Sequence, residues 1–146
     1  MNILKIFTPY ELPVDAIDVR CHALQTEHVE ALKGYLASVL PECYITHQQL
    51  KYRVKGTGLD ASEILCNKLP DKGSVMSGDF GEILTLFFLN SECKAQTVPI
   101  KKWIYKQDRT KAAPHSDVVI LYREHNNKKE SKEDFVICAE AKQKAT

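Results

Sequence analysis

The sequence lacks the features that mark several common protein classes. No run of about 18 apolar residues occurs in the 146-residue chain, so the sequence predicts no transmembrane helix. The N-terminus, Met1 to Lys5, has no long apolar core of the kind that a secretory signal peptide carries. The formal net charge is only +1, so nucleic-acid binding would need local basic patches rather than a global positive excess.

Cysteine is present but does not follow a disulfide or zinc-binding pattern. The five cysteines are widely spaced, their number is odd, and no Cys-x-x-Cys pair occurs. This spacing argues against a zinc site and a disulfide framework, and it indicates a reducing compartment. We therefore expect a cytoplasmic protein that has no contact with a membrane.

The first half of the chain predicts mixed α and β structure. Short strands are expected at residues 3–8 and 16–24, with a turn between them bracketed by Pro9 and Pro13. The polar stretch from 47 to 55 is ambiguous.

Two helices are also expected in this half. The first begins at Thr26, and Pro41 is expected to end it. A shorter one is expected within residues 60–69, with Asp60 as its N-cap.

A more definite helix is predicted between Ser77 and Asn90, with Ser77 as its cap and Asp79 in its first turn. Its apolar residues are spaced by three and four positions and form a wide stripe, made of Phe80, Ile83, Leu84, Phe87 and Phe88. Glu82 lies about 200° around the helix from the start of that stripe, at about 100° per residue. A strand is expected at residues 96–100, with 103–105 as a further candidate.

Two short apolar runs near the end of the chain predict a β-hairpin, Val118–Tyr122 and Phe135–Ala139. Asp117 precedes the first run, and Glu140 and Lys142 follow the second. The start of one antiparallel strand lies beside the end of the next, so we expect these three side chains at one end of the hairpin. Two carboxylates and an ammonium group at one place suit a hard divalent cation and a phosphate.

The triplet Glu-x-Lys carries little information alone, because it occurs three times in the chain. The copy at Glu92 follows a predicted helix, and the copy at Glu130 lies in a charged turn. Only the copy at Glu140 ends an apolar strand. A surface salt bridge on an edge strand is an alternative interpretation of that copy. Asp117 as an ordinary turn residue and Glu82 as an exposed helix residue are further alternatives.

A local basic cluster precedes the hairpin and consists of Lys101, Lys102, Lys106, Arg109 and Lys111, interrupted by Asp108. Its members are candidates for sequence-independent contacts with backbone phosphates, in particular Lys102, Lys106, Arg109 and Lys111. The alternative is a solvated surface loop.

Asp117 and Glu140-x-Lys142, with Glu82 on a preceding helix, resemble the core of the PD-(D/E)XK nuclease superfamily. The segments from Gly78 to Glu82 and from Pro114 to Val119 most resemble the HamA family, the nuclease subunit of Hachiman-type antiphage defence. The resemblance covers residues 77–142.

The resemblance implies an α/β fold with a restriction-endonuclease-like core over residues 77–146. That core would comprise a helix and then a three-stranded mixed sheet that includes the site hairpin. Residues 1–76 would form a preceding α+β segment that docks a partner. The family's core continues with a further helix and strand after the lysine, so the C-terminal part of the core is expected to be missing here.

The resemblance also implies an endonuclease that hydrolyses DNA phosphodiester bonds in antiphage defence, together with a helicase-like partner. Asp117, Glu140 and the backbone carbonyl of Ala141 would bind Mg²⁺ or Mn²⁺ and so activate a water. Lys142 would orient that water or stabilise the developing charge, and Glu82 would support the site or assist a second metal. The alternative is a non-catalytic nucleic-acid-binding or partner-docking module that keeps the fold.

Overall fold

The structure is a computed structural model that describes residues 2–14, 17–93, 96–114, 116–125 and 129–142. The strands within these residues are β1 (Phe7–Val14), β2 (Ile17–Leu24), β3 (Thr97–Pro99), β4 (Val118–Tyr122) and β5 (Phe135–Ala139). The α-helices are α1 (Val29–Tyr44), α2 (His47–Thr57), α3 (Ala61–Cys66) and α4 (Ser74–Glu92). Short 3₁₀ helices lie at Ile3–Ile6, Thr26–His28 and Lys102–Tyr105. Among the described residues, no helix is long and apolar enough to cross a membrane.

The chain begins with an antiparallel ribbon of β1 and β2, which confirms the second predicted strand. The first prediction was wrong in part, because residues 3–6 form a 3₁₀ helix and β1 follows it. Pro9 and Pro13 lie inside β1 and do not bracket a turn. Each strand of a two-stranded ribbon has an open edge, where a residue without an amide hydrogen is tolerated.

Helix α1 continues through Pro41 to Tyr44, so the prediction that Pro41 ends it was wrong. A proline inside a helix removes one backbone hydrogen bond. The last turn is nevertheless kept, because Cys43 and Tyr44 are buried in the core and the amide of Ile45 donates to the carbonyl of Pro41 at 3.1 Å. Tertiary packing therefore outweighs the local preference of proline.

Helix α2 occupies the stretch that the sequence left ambiguous. Thr46 and Gln49 form a capping box. The backbone N–H of Gln49 donates to Thr46 Oγ1, and the backbone N–H of Thr46 donates to Gln49 Oε1, both at 3.1 Å. Gly58 ends the helix with a φ of 70°, a left-handed conformation that suits glycine. Helix α3 confirms the short helix expected next; Asp60 is its N-cap residue but its side chain makes no capping hydrogen bond.

Helix α4 begins at Ser74, three residues earlier than predicted, and lies between two apolar clusters. On one side, Ile83 and Leu86 pack in a cluster with residues of α1, the 3₁₀ helix Lys102–Tyr105, β4 and the segment before β4. These residues are Cys43, Tyr44, Trp103, Ala113, Val118 and Ile120. On the other side, Leu84 and Phe87 pack against Ile3, Ile6, Leu32 and Leu36. Contact with both clusters explains why the apolar stripe is wide. The boundary predicted between residues 76 and 77 stays a prediction.

The sheet near the end of the chain has the strand order β3-β4-β5 and is antiparallel throughout, so the expectation of a mixed sheet was wrong. The predicted hairpin of β4 and β5 is confirmed, and Pro99 lies in the edge strand β3, as expected. Residues 103–105 belong to a 3₁₀ helix and not to a strand. Val118 and Ile120 face the core, whereas Leu121 and Val136 are exposed on the opposite face. The whole is a mixed α/β protein.

Candidate functional site

The end of the β4–β5 hairpin brings together two of the acidic residues singled out from the sequence. Val118 pairs with Ala139, so the next positions along the ladder are Asp117 and Glu140. Asp117 Oδ2 accepts a hydrogen bond from the amide of Ala141 at 3.0 Å, which fixes the Asp117 carboxylate beside the end of β5. The alternation of the two strands assigns both acids to the exposed face of the sheet, the face that carries Cys138.

A surface pocket opens at this end of the hairpin and is lined by Ser116, Asp117, Cys138, Ala139 and Glu140. Lys142 forms an ion pair with Glu140, and both side chains are exposed to solvent. The hydrogen bond and the charge of Glu140 raise the pKa of Lys142, and the charge of Asp117 adds to the effect. The ammonium group of Lys142 is therefore held in its charged form next to both carboxylates.

Glu82 is not on the exposed side of its helix, so the alternative interpretation of Glu82 as an exposed helix residue was wrong. Its side chain is only 15% exposed, and Glu82 Oε2 lies 3.0 Å from Lys102 Nζ. This contact is an ion pair, and Oε2 has no hydrogen-bond partner among the described residues. Lys102 Nζ donates instead to the carbonyl of Ser116 at 3.0 Å. Lys102 thus links α4 to the residue immediately before Asp117.

Burial raises the pKa of Glu82, and its ion pair with Lys102 partly opposes that effect. The charges of Asp117 and Asp79 raise the pKa further. The charge of Asp117 therefore reaches the Glu82 carboxylate, which is paired with Lys102. In the described part of the chain, no group of three or more His, Cys, Asp or Glu side chains is placed to hold a metal ion.

The donor chemistry at the hairpin end suits Mg²⁺ or Mn²⁺. Asp117 and Glu140 supply carboxylate oxygens, and Ala141 has a backbone carbonyl next to them in the chain. Magnesium is commonly held by one or two carboxylates, with water and substrate phosphates completing its shell. A pair of neighbouring carboxylates fits that requirement.

The basic cluster predicted to contact backbone phosphates is partly internal. Lys102 and Lys106 are each only 7% exposed, so the alternative of a solvated surface loop was wrong for these two residues, and contact of the cluster with phosphates stays a prediction. Lys106 Nζ donates to Asp79 Oδ2 at 2.7 Å. The two other candidates lie nearer the surface: Arg109 pairs with Asp71, and Lys111 pairs with Asp108 at 3.3 Å.

Comparison with known proteins gives the chain its family. A model of the HamA family matches residues 2–146. The chain belongs to the HamA family. This is the nuclease-subunit family of Hachiman systems, so the resemblance read from residues 77–142 is confirmed and extends over the first half as well. No curated protein and no solved structure matches the chain, so a restriction-endonuclease-like core stays a prediction.

Membership of the HamA family indicates a component of Hachiman defence, and at the level of the family it implies a HamB helicase as partner. The family match assigns no role to individual residues. Their roles therefore rest on the geometry of the hairpin end.

Sequence reasoning missed the buried polar group around Asp79. Tyr44 Oη and Lys106 Nζ both donate to Asp79 Oδ2, at 2.8 and 2.7 Å. Burial raises the pKa of Tyr44, and the hydrogen bond to Asp79 adds to the rise. One signal was available: Asp79 stands four and seven positions before Ile83 and Leu86, on the same face of α4.

Proposed function

We propose that this HamA-family chain is a metal-dependent endonuclease that hydrolyses phosphodiester bonds of DNA in a Hachiman system. The observation that carries the proposal is the position of Asp117 and Glu140 directly beyond the last strand pair, Val118 with Ala139, where the Ala141 amide donates to Asp117. Lys142 places a positive charge beside both acids. Two acids and an ammonium group at one exposed place suit the hydrolysis of a phosphate ester.

Asp117 and Glu140 would hold Mg²⁺ or Mn²⁺, with the carbonyl of Ala141 as a further oxygen donor. When bound, the cation would supply positive charge to the phosphate and lower the pKa of the attacking water. Lys142 would donate a hydrogen bond to the phosphate oxygen on which negative charge develops. Its exposed, flexible side chain can turn from Glu140 toward the substrate.

Glu82 would act indirectly. Lys102 contacts both Glu82 and the carbonyl of Ser116, so the pair holds the backbone that leads into Asp117. In this proposal Glu82 and Lys102 position Asp117 and do not touch the reacting atoms.

The test is cleavage of plasmid and single-stranded DNA with and without Mg²⁺ or Mn²⁺, by the chain alone and together with a HamB helicase. Asp117→Asn keeps an acceptor for the Ala141 amide but removes the charge, and Glu140→Gln does the same at the second position. Both should abolish metal-dependent cutting, whereas Lys142→Ala should lower the rate about 10²- to 10³-fold. Glu130→Ala is the matched control, because it removes an exposed glutamate from another Glu-x-Lys triplet.

Metal-dependent cutting that survives both Asp117→Asn and Glu140→Gln would overturn the assignment of the site. A non-catalytic DNA-binding or partner-docking module is the second candidate. It is favoured by the engagement of Glu82 with Lys102, which keeps a third carboxylate out of the site. Absence of cutting with either metal, with and without the helicase, would favour this second candidate.

A further inference from the structure

A second surface pocket, which we call the α2–α3 pocket, is lined by residues of α2, of the segment that follows α3, and of the segment that follows the 3₁₀ helix Lys102–Tyr105. Its lining is dominated by cationic and polar side chains, Arg53, Asn67, Lys68, Lys106, Gln107 and Arg109, and it includes one acidic residue, Asp108. It shares no lining residue with the pocket at the hairpin end.

The positive charge of the α2–α3 pocket is only partly neutralised within the protein. Lys106 is paired with Asp79, and Arg109 is paired with Asp71. Within the described residues, Arg53 and Lys68 have no acidic side chain at ion-pair distance. Asp108, the acidic residue of the lining, is paired with Lys111, so Arg53 and Lys68 line the pocket without an ion-pair partner among the described residues.

Two further observations indicate that cationic groups of the pocket lack negatively charged or hydrogen-bond-accepting partners. The pKa of Lys68 is lowered, first by burial and then by the positive charge of Arg53, so the two cations lie close enough to repel. The guanidinium of Arg109 is also incompletely hydrogen-bonded, because its Nε is buried and has no acceptor among the described residues. An anion bound between these groups would relieve the repulsion.

An exposed aromatic side chain lies next to the cationic pocket. Tyr52 is 80% exposed on α2, directly before Arg53, and both residues line a neighbouring surface pocket together with Gln48 and Gln49. Cationic groups beside an exposed ring are the combination that holds the phosphates and stacks the bases of a nucleic-acid strand. A small inorganic anion would need the cations but not the ring.

The α2–α3 pocket is also connected to the hairpin end through one short element. Lys106 lines the pocket, and Lys102 contacts the carbonyl of Ser116 beside Asp117. One 3₁₀ helix joins the two lysines, and at about 2 Å per residue their backbones are roughly 8 Å apart.

We propose that Arg53, Lys68 and Arg109 bind the phosphodiester backbone of a nucleic-acid strand, with Tyr52 stacking on a neighbouring base. The identity of the strand as the substrate rests on the proposed nuclease function. The binding itself needs neither a metal ion nor catalysis, so it is measured separately.

The test is fluorescence anisotropy of a labelled single-stranded oligonucleotide, and of its duplex, with the full chain in EDTA. The variant Arg53→Gln/Lys68→Gln removes the two unpaired cations. The control Lys51→Gln/Lys55→Gln removes the same charge from exposed positions two residues before and after Arg53. These positions lie about 160° around the helix from Arg53, at about 100° per residue.

We expect the pocket variant to bind single strands at least about tenfold more weakly and to lower the salt slope of log Kobs by about 1.4, for two lost phosphate contacts. The control should change the affinity less and leave the slope nearly unchanged. Tyr52→Ala should weaken single strands more than duplex, because paired bases are not free to stack. Equal losses in both double variants, or no loss in either, would overturn the proposal.

Inorganic phosphate distinguishes a strand-binding surface from a site for small anions. At ionic strength matched with chloride, excess phosphate should compete only weakly with the oligonucleotide; complete displacement would overturn the proposal. If the chain cuts DNA but Arg53→Gln/Lys68→Gln binds the oligonucleotide like the wild type, only this inference is refuted. If that variant loses binding but the chain cuts no DNA, only the nuclease function is refuted.

Discussion

The buried ion pair of Lys106 and Asp79 provides the most direct test of the packing. The two side chains are 4% and 3% exposed, their charged atoms are 2.7 Å apart, and Tyr44 donates a second hydrogen bond to the same carboxylate oxygen. Lys106→Met keeps much of the volume of the side chain but leaves the Asp79 charge buried without its counter-ion. We expect this variant to lose about 3–5 kcal/mol of unfolding free energy.

The magnitude follows from the burial of both groups. Desolvation of each ion costs several kcal/mol, and their mutual attraction roughly repays that cost, so the intact pair contributes little net stability. When one partner is removed, no attraction offsets the desolvation cost of the charge that remains buried. Lys106→Met/Asp79→Asn buries no charge and still offers Tyr44 an acceptor, so the double variant should be more stable than Lys106→Met alone.

Urea unfolding, monitored by the fluorescence of the single tryptophan, Trp103, measures these free energies. Trp103 is 1% exposed, so unfolding should change its emission strongly. The control is Lys33→Met, which breaks the exposed pair with Glu30 and should cost less than about 0.5 kcal/mol. Asp79→Asn alone completes the double-mutant cycle. A loss in Lys106→Met/Asp79→Asn equal to the sum of the losses in Lys106→Met and Asp79→Asn would show that the two residues do not interact, and would refute the reasoning.

Three further predictions concern local features. Thr46→Ala removes the capping box of α2 and should cost about 1 kcal/mol in urea unfolding; no change in midpoint would contradict that role of the cap. Burial raises the pKa of the Cys43 thiol to about 11 from 9.0, so the thiol ionises first in the unfolded chain. The protein should therefore lose stability as the pH rises from about 9 to about 11, by up to about 3 kcal/mol from this group. Cys43→Ala should lose less over the same interval, and equal losses would refute the assignment. Lys102→Met should raise the pKa of Glu82 further, because the opposing positive charge is gone; an unchanged titration in carbon-detected NMR of the glutamate carboxyls would contradict the contact.

The hairpin at the end of the chain could be predicted because its information is local. Its two apolar runs differ in composition from the polar connection between them, and antiparallel pairing of neighbouring strands follows from chain order. The same local pattern predicts that Asp117 lies beside Glu140. The choice among three Glu-x-Lys triplets also came from local context, since only Glu140 ends an apolar strand.

Other features could not be predicted because distant residues decide them. The sequence around Lys102 and Lys106 is basic and polar, which is typical of a solvated loop. Both lysines are nevertheless buried, because α4 brings Glu82 and Asp79 to them from 20 and 27 positions away. The continuation of α1 past Pro41 likewise depends on the burial of Tyr44 next to α4.

By itself, the sequence determined the family, the hairpin and the grouping of Asp117, Glu140 and Lys142 at its end, since each follows from local pattern or from motif order. Only the tertiary structure decided that Glu82 is held by Lys102 beneath that end, and that Arg53 and Lys68 line a pocket with unpaired positive charge. The physical reason is that burial and ion pairing depend on which elements pack together. Local propensity contributes only tenths of a kcal/mol per residue, whereas burying or unpairing a single charge changes the free energy by several kcal/mol.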